Sequence, residues 1–223
     1  MPEDVLHAST PALKRSPASL AVLLTIVAAV VIWFLADNLP RYVFLDEQSF
    51  GRYWPVRGWL LVHIAAGTVA LVLGPIQLWL GSTRTYLPWH RTLGVGYVSA
   101  VAVGSAAAIG LSIKTQVGWV FGLGLFALAM AWIITTTLAD VSARRRLFAQ
   151  HREWMIRSYV VTFAFITFRV FTLALRTWEF GTPQERATAA SWFCWAVPLL
   201  LTEVMLQWNK LAVASKSRTA LQH

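Results

Sequence analysis

Cysteine and charge are both scarce in this chain of 223 residues. Cys194 is the only cysteine, which excludes an intramolecular disulfide, a CxxC redox motif and covalent c-type haem attachment. Charged residues make up 13% of the chain, whereas soluble domains carry about 25%. Neither a GxSxG motif nor a Ser-His-Asp arrangement is present. These absences argue against a soluble hydrolase and against a disulfide-rich secreted domain.

Long apolar blocks take the place of the missing charge. A membrane-spanning helix needs about 20 apolar residues, and six blocks approach that length: 18–36, 58–80, 92–113, 118–139, 154–176 and 188–209. The sequence therefore predicts an all-α polytopic membrane protein with six transmembrane helices. We expect the second to fifth helices to form a central four-helix bundle that encloses a polar site.

Short loops between the blocks leave room for one domain. We assign residues 18–210 to a six-helix transmembrane domain, with a disordered lead-in at 1–17 and a polar tail at 211–223. The first apolar run follows Lys14-Arg15, as in a signal peptide. It is too long for an ordinary signal sequence and no A-x-A site follows it. We therefore expect an uncleaved first helix.

Positive charge is concentrated in alternate loops and the tails. A net charge of +9 would suggest nucleic-acid binding in a soluble chain, but in a membrane protein basic loops mark the cytoplasmic face. The residues on that face are Lys14, Arg15, Arg84, Arg91, Arg144, Arg145, Arg146, Arg152, Lys210, Lys216 and Arg218. The pattern predicts a cytoplasmic (inner) membrane protein with both termini in the cytoplasm, surrounded by lipid and without a nucleic-acid partner.

The fifth apolar block carries polar residues that lipid disfavours. His151, Ser158, Thr162, Arg169, Thr172 and Arg176 follow one another at intervals of 7, 4, 7, 3 and 4 residues. On one continuous helix they form a single stripe. Arg157 lies one position away from that stripe. Because charges inside a membrane are costly without partners, the block predicts an intramembrane polar site.

Two other blocks carry small residues at helical spacing. His63, Gly67, Ala70, Gly74 and Gln77 form one stripe on the second helix. On the third helix, Gly96, Ala100, Gly104 and Ala108 recur every four residues. Small residues allow helix backbones to approach closely, so both stripes predict packing surfaces. The fourth helix has little polar content, and we expect it to face lipid or to support the others.

Arg157 and Glu203 occupy similar predicted depths on the fifth and sixth helices. An ion pair between them would offset the cost of charge in the bilayer. The pair has two interpretations: a structural link between helices, or, together with Arg169, an anion or proton site of a transporter.

Three histidines begin three different helices: His63, His90 and His151. Neutral imidazole ligates haem iron, and arginine matches haem propionates. His90 and His151 both lie on the predicted cytoplasmic side, so they are candidate axial ligands of one haem b, with Arg157 or Arg169 holding the propionates. The alternative is that each histidine caps a helix or bonds a neighbour.

Other metal arrangements fit less well. Dihaem membrane cytochromes usually carry two histidines on one helix, and here no predicted helix has two. His63 shares its stripe with Gln77, and glutamine is a poor haem ligand. A zinc site needs three or four clustered ligands, which three histidines at different depths do not supply.

The loop at 140–153, DVSARRRLFAQHRE, contains three consecutive arginines. Such a cluster attracts anionic lipid headgroups. The alternative is that it only sets the topology.

Three blocks carry a family resemblance: HIAAGTVALVLGPIQ (63–77), PWHRTLGVGYV (88–98) and HREWMIRSYVVTFAFITFR (151–169). They resemble the bacterial predicted membrane-protein family called domain of unknown function 2306, over about residues 58–175. The resemblance implies a multi-helix inner-membrane protein without a settled activity. The motif positions are His63, Gly67, Gly74, Gln77, His90, Arg91, Gly94, His151, Trp154, Met155, Arg157, Ser158 and Arg169.

Three functional hypotheses follow. The first is a haem-binding or redox membrane subunit. The second is a small-ligand binder or proton-coupled transporter. The third is a structural or assembly protein whose polar residues fix helix register. Each is compatible with a membrane partner subunit or a homo-oligomer.

Overall fold

Eight α-helices dominate the computed structural model, which describes residues 17–83 and 86–220. They are α1 Pro17–Asn38, α2 Glu47–Phe50, α3 Arg57–Thr83, α4 Leu87–Ile113, α5 Trp119–Arg144, α6 Phe148–Thr162, α7 Ala164–Thr177 and α8 Pro183–Ala220. Two 3-10 segments, Pro40–Tyr42 and Gly51–Val56, flank α2. The described residues contain no strand. The predicted lead-in at 1–17 lies outside the described residues except for Pro17, as do the last three residues of the tail.

Five helices are long and apolar enough to cross a membrane: α1, α3, α4, α5 and α8. A sixth span is obtained when α6 and α7, which meet at an angle of 43°, are counted together. The prediction of an all-α polytopic membrane protein is thus confirmed. The two ends of the bundle are named after residues. Helices α4 and α6 begin at one end, which we call the His90 end. Helix α3 begins at the opposite end, which we call the Trp59 end.

The α6–α7 span bends at Phe163, where the sequence contains neither proline nor glycine. The Thr162 hydroxyl donates to the Ser158 carbonyl one turn earlier. Back-bonding of this kind competes with the helical ladder and often bends helices. The bend splits the predicted single polar stripe: Ser158 and Thr162 are buried, whereas Arg169 is exposed.

Helices α3 to α6 form the core of the molecule. Three glycines of α3, spaced seven residues apart, each face a ring: Gly67 faces Phe165, Gly74 faces Tyr159, and Gly81 faces His90. On α4, Gly104 lies against the ring of Trp132. The rings fill the space that side chains on those glycines would occupy. The two small-residue stripes are therefore packing surfaces, as predicted.

Of the five unbroken spans, helix α5 has the largest buried share of its apolar window, 39%. The expectation that it faces lipid or supports the other helices is correct only in part: Leu123 and Ile134 are exposed, but the helix also contributes to the core. Gly122 lies against the backbone of α4 at Ser112, and Gly124 lies against Ser191 of α8. These close approaches let α5 insert between its neighbours. The side chains of Trp132, Thr135 and Thr136 consequently lie in the core, whereas Trp119 and Thr137 are exposed.

Candidate functional site

A hydrogen-bonded cluster occupies the middle of the bundle. We call it the hydroxyl layer, and it consists of Tyr97, Trp132, Thr136, Ser158 and Thr162. The Tyr97 hydroxyl lies 2.8 Å from both Ser158 Oγ and Thr162 Oγ1. Trp132 Nε1 donates to Thr162 Oγ1 at 2.8 Å, and Thr136 Oγ1 lies 2.7 Å from Ser158 Oγ. The cluster joins α4, α5 and α6.

Counting hydrogens gives every bond in the hydroxyl layer a direction. Thr162 donates its only hydroxyl hydrogen to the Ser158 carbonyl at 2.9 Å, so its oxygen accepts from both Trp132 and Tyr97. Tyr97 has then used its hydrogen, and it accepts from Ser158. Ser158 in turn accepts from Thr136. No hydroxyl in the layer lacks a partner, as a stable buried network requires.

Seven residues before Tyr97 and Ser158 lie His90 and His151, which define the second cluster. We call it the histidine layer, and it comprises His90 and His151 with Gln77, Gly81 and Ala139. The two imidazole rings lie 6.2 Å apart between centroids and are nearly perpendicular, at 87°. The pairing of His90 with His151, expected from the sequence, is therefore present in the structure.

The two histidines differ in how their nitrogens are satisfied. His151 Nδ1 lies 2.8 Å from the Ala139 carbonyl. A carbonyl only accepts, so Nδ1 carries the hydrogen and Nε2 keeps a free lone pair. His90 Nδ1 is buried and has no hydrogen-bond partner among the described residues. Unpartnered buried polar atoms are rare in proteins and indicate a missing partner or a functional role.

Gln77 is buried, and it links α3 to the start of α4. Its Nε2 donates to the His90 carbonyl at 3.0 Å. The Gln77 amide lies next to Gly94 of α4, and the His90 ring lies next to Gly81 of α3. Gln77 therefore belongs to the histidine layer as a residue that positions His90.

His63 lies elsewhere, towards the Trp59 end. Its Nδ1 lies 2.9 Å from the Gly104 carbonyl, to which it must donate. Its ring stacks on Phe165 at 4.8 Å and meets Trp132 edge-on at 6.5 Å. The hydroxyl layer separates His63 from the other two histidines, so the structure does not bring all three together.

Arg157 and Glu203 form the ion pair expected from their depths. Arg157 Nε and Nη2 donate to one Glu203 oxygen at 2.9 and 2.6 Å. Glu153 lies 3.5 Å from Arg157 and accepts from Lys210 at 2.8 Å. The guanidinium also lies 4.6 Å from the ring of Trp154. Two cations and two carboxylates thus form a cluster without net charge that joins α6 to α8.

Arg169 is exposed on α7, beyond the bend. It forms no ion pair within the described part of the chain. Twelve residues separate it from Arg157, or about 18 Å of helix. The structure therefore does not bring Arg169 together with Arg157 and Glu203.

Sequence reasoning did not identify Tyr97, Trp132 and Thr136 as members of a site. A signal was available, since tyrosine and tryptophan favour the membrane interface and rarely lie at mid-span. Both need a hydrogen-bond partner when buried. Their depth alone could have indicated a polar core.

The described residues contain no cluster of three or more histidine, cysteine, aspartate or glutamate side chains that could hold a metal ion. An apolar groove of about 660 Å³ opens at the Trp59 end, lined by Pro55, Trp59, Val62 and Val103 among others. None of the candidate polar residues lines it.

Comparison with known proteins agrees with the sequence blocks described above. The family model described as "Predicted membrane protein (DUF2306)" matches residues 60–206, about two thirds of the chain. The match includes His63, Glu203 and every candidate residue between them. No curated protein and no solved structure matches the chain. The chain therefore belongs to the DUF2306 family of predicted membrane proteins.

Proposed function

We propose that this protein is a redox subunit of the cytoplasmic membrane that binds one haem b between His90 and His151. The observation that carries the proposal is the separation of the two imidazole rings, 6.2 Å between centroids. A separation of about 6 Å would let both imidazoles hold one iron, because a metal–imidazole bond is about 2 Å long.

The surrounding atoms also fit a metal ligand. Metal-binding histidines usually donate their second nitrogen to a carbonyl or carboxylate, as His151 does to Ala139. His90 has a buried nitrogen without a partner. A Cβ added at Gly81 would lie 3.1 Å from His90 Cε1, so the glycine lets the His90 ring lie directly against α3. When bound, haem iron supplies one-electron redox chemistry, and the histidines hold and orient it.

The propionate partners named from the sequence need revision within this proposal. Arg157 is already engaged by Glu203 and Glu153, and Arg169 lies beyond the bend. Arg91 and Arg152 directly follow the two histidines and are exposed at the same end. Guanidinium groups pair well with carboxylates, so these two arginines are the better candidates.

The transporter hypothesis has less support. It requires Arg157, Arg169 and Glu203 to share one site with free charge for a ligand. Arg157 and Glu203 instead neutralise each other, and Arg169 lies apart from them. We therefore assign the Arg157 cluster a structural role between α6 and α8.

The test is the absorption spectrum of protein purified from haem-supplemented cells. We expect a Soret band and a b-type pyridine haemochrome. His151→Ala should lose the band. His63→Ala should keep it, because the hydroxyl layer separates His63 from the two proposed ligands. A colourless wild-type protein without extractable haem would overturn the proposal.

A further inference from the structure

We propose that the turn between α5 and α6 binds the anionic headgroups of phospholipids. We call residues 144–148 (Arg-Arg-Arg-Leu-Phe) the arginine turn. It lies at the His90 end, where the basic loops predict the cytoplasmic face. Its position at the end of two membrane-spanning segments brings it to the level of lipid headgroups. The inference is independent of haem binding.

The arginine turn carries positive charge that the protein leaves largely unpaired. Arg145 and Arg146 are exposed, and neither side chain has a hydrogen bond or an ion pair within the described part of the chain. Arg144 pairs with Asp140 at 2.7 Å, yet 77% of its side chain remains exposed. Clusters of this kind next to a membrane helix attract anionic lipids.

Two exposed apolar side chains complete the surface. Leu147 and Phe148 follow the arginines directly and are 44% and 67% exposed. Cations at headgroup level beside leucine and phenylalanine that reach the acyl boundary are typical of segments that lie in the membrane interface. A free anion in solution would use the arginines but would gain nothing from the apolar pair. The combination favours a phospholipid as the partner.

The backbone adds a reason to look for a role for Arg146. The Leu147 amide donates to the Ser142 carbonyl and the Arg146 amide to that of Ala143. These two bonds form a Schellman motif, in which the residue at the Arg146 position is left-handed and is usually glycine. Arg146 has φ +61°. An arginine therefore occupies a position where glycine is more favourable for the backbone.

The opposite end of the bundle provides a matched turn of different charge. Between α7 and α8, Phe180 donates to Leu175 and Glu179 to Arg176 in the same pattern. Glu179 is left-handed, with φ +54°. Replacing Arg146 or Glu179 with glycine relieves the same backbone strain, but only the first change removes a cation. This pair separates a lipid effect from a folding effect.

The experiment measures the thermal unfolding midpoint of the full-length protein in nanodiscs of phosphatidylcholine, with and without phosphatidylglycerol. We expect phosphatidylglycerol to raise the wild-type midpoint. Arg146→Gly and Glu179→Gly should each raise the midpoint in pure phosphatidylcholine, because each relieves the backbone strain. The quantity to compare is the phosphatidylglycerol fraction that gives half of the full rise in midpoint. Arg146→Gly and Arg145→Gln should each increase this fraction about fivefold. Glu179→Gly should leave it unchanged.

Three results would overturn the proposal. The first is an equal wild-type midpoint in both lipid mixtures. The second is an undiminished phosphatidylglycerol effect in the Arg145→Gln/Arg146→Gly double variant. The third is an equal rise when inorganic phosphate is added to phosphatidylcholine discs, which would indicate a site for a soluble anion instead. Weakening of the phosphatidylglycerol effect by salt supports a screened charge interaction.

Discussion

The hydroxyl layer and the histidine layer share α4, α5 and α6 and lie about 10 Å apart along the bundle axis. In the first, Tyr97, Ser158 and Thr162 use every hydroxyl hydrogen in bonds to one another or to the backbone. In the second, the His90 ring has a buried nitrogen without a partner. A satisfied network specifies packing, and an unsatisfied one is open to a ligand. The comparison assigns structure to the first layer and function to the second.

Adding a methyl group at Gly74 should break the middle of the bundle and gives the largest expected effect. The new Cβ would collide with the Tyr159 ring, which is held by its hydroxyl bond to the Leu71 carbonyl at 3.2 Å. We expect Gly74→Ala to lower the free energy of unfolding by about 3 kcal/mol. The midpoint of thermal unfolding in detergent measures it.

Two other glycines of α3 sharpen this test. A Cβ at Gly58 meets nothing within 4 Å, so Gly58→Ala should stabilise the helix by up to about 1 kcal/mol. Gly81→Ala should cost less than Gly74→Ala, because a Cβ at Gly81 would lie 3.1 Å from the nearest His90 atom, whereas a Cβ at Gly74 would overlap the Tyr159 ring. Equal losses of unfolding free energy for Gly74→Ala and Gly81→Ala would contradict the more severe clash expected at Gly74.

Removing the central hydroxyl should have the next largest effect. Thr162→Val keeps the shape of the side chain but removes the acceptor of the Trp132 indole and leaves the Tyr97 hydroxyl with Ser158 Oγ alone. We expect a loss of about 2 kcal/mol, since one buried donor is orphaned and a second interhelical hydrogen bond is lost, and such bonds in membranes are individually modest. The haem spectrum should not change.

A control lies at the end of α7, where the Thr177 hydroxyl bonds only the carbonyl of Leu173 in its own helix. Thr177→Val should therefore leave the unfolding midpoint almost unchanged. If Thr162→Val is as stable as wild type, the hydroxyl layer does not hold the bundle together.

Much of the fold could be predicted from the sequence because the bilayer imposes strong rules. Apolar length identified the spans, and glycine spacing identified packing faces. Depth along each helix paired His90 with His151 and Arg157 with Glu203, since both members of each pair are a few residues from the same membrane surface. Each of these inferences needs only distances along a helix axis.

The rotation of each helix about its own axis was harder to predict. In lipid both faces of a span are apolar, so periodicity gives weak information on which face is buried. Helix α5 was partly misjudged for this reason: Trp132 and Thr136 bear no charge, yet they complete the core. The bend at Phe163 was equally hidden, because it depends on the hydroxyl of Thr162 and not on a proline. That bend turned Arg169 away from the site.

Gln77→Ala should have a smaller effect and tests how the histidine layer is held. It removes the donor to the His90 carbonyl at 3.0 Å. We expect a loss of about 1 kcal/mol in unfolding free energy and a shifted Soret band, because the start of α4 loses its link to α3. Gln207, an exposed glutamine that bonds Glu203, provides the control. Gln207→Ala should change neither the midpoint nor the spectrum.

His90→Phe should have the smallest effect on the ligand-free protein and the sharpest effect on function. A phenyl ring fills similar space and removes a buried nitrogen that lacks a partner, so the unfolding free energy should be unchanged or slightly higher. The haem-loaded protein should differ. Binding at 100 times the dissociation constant stabilises a fold by about 2.7 kcal/mol, and the variant should lose that increment together with the Soret band. His63→Phe should show the opposite pattern, because it removes the bond between His63 and the Gly104 carbonyl of α4 but leaves both proposed ligands in place. If His90→Phe destabilises the ligand-free protein as strongly as Thr162→Val does, the histidine layer is structural, and the contrast between the two layers fails.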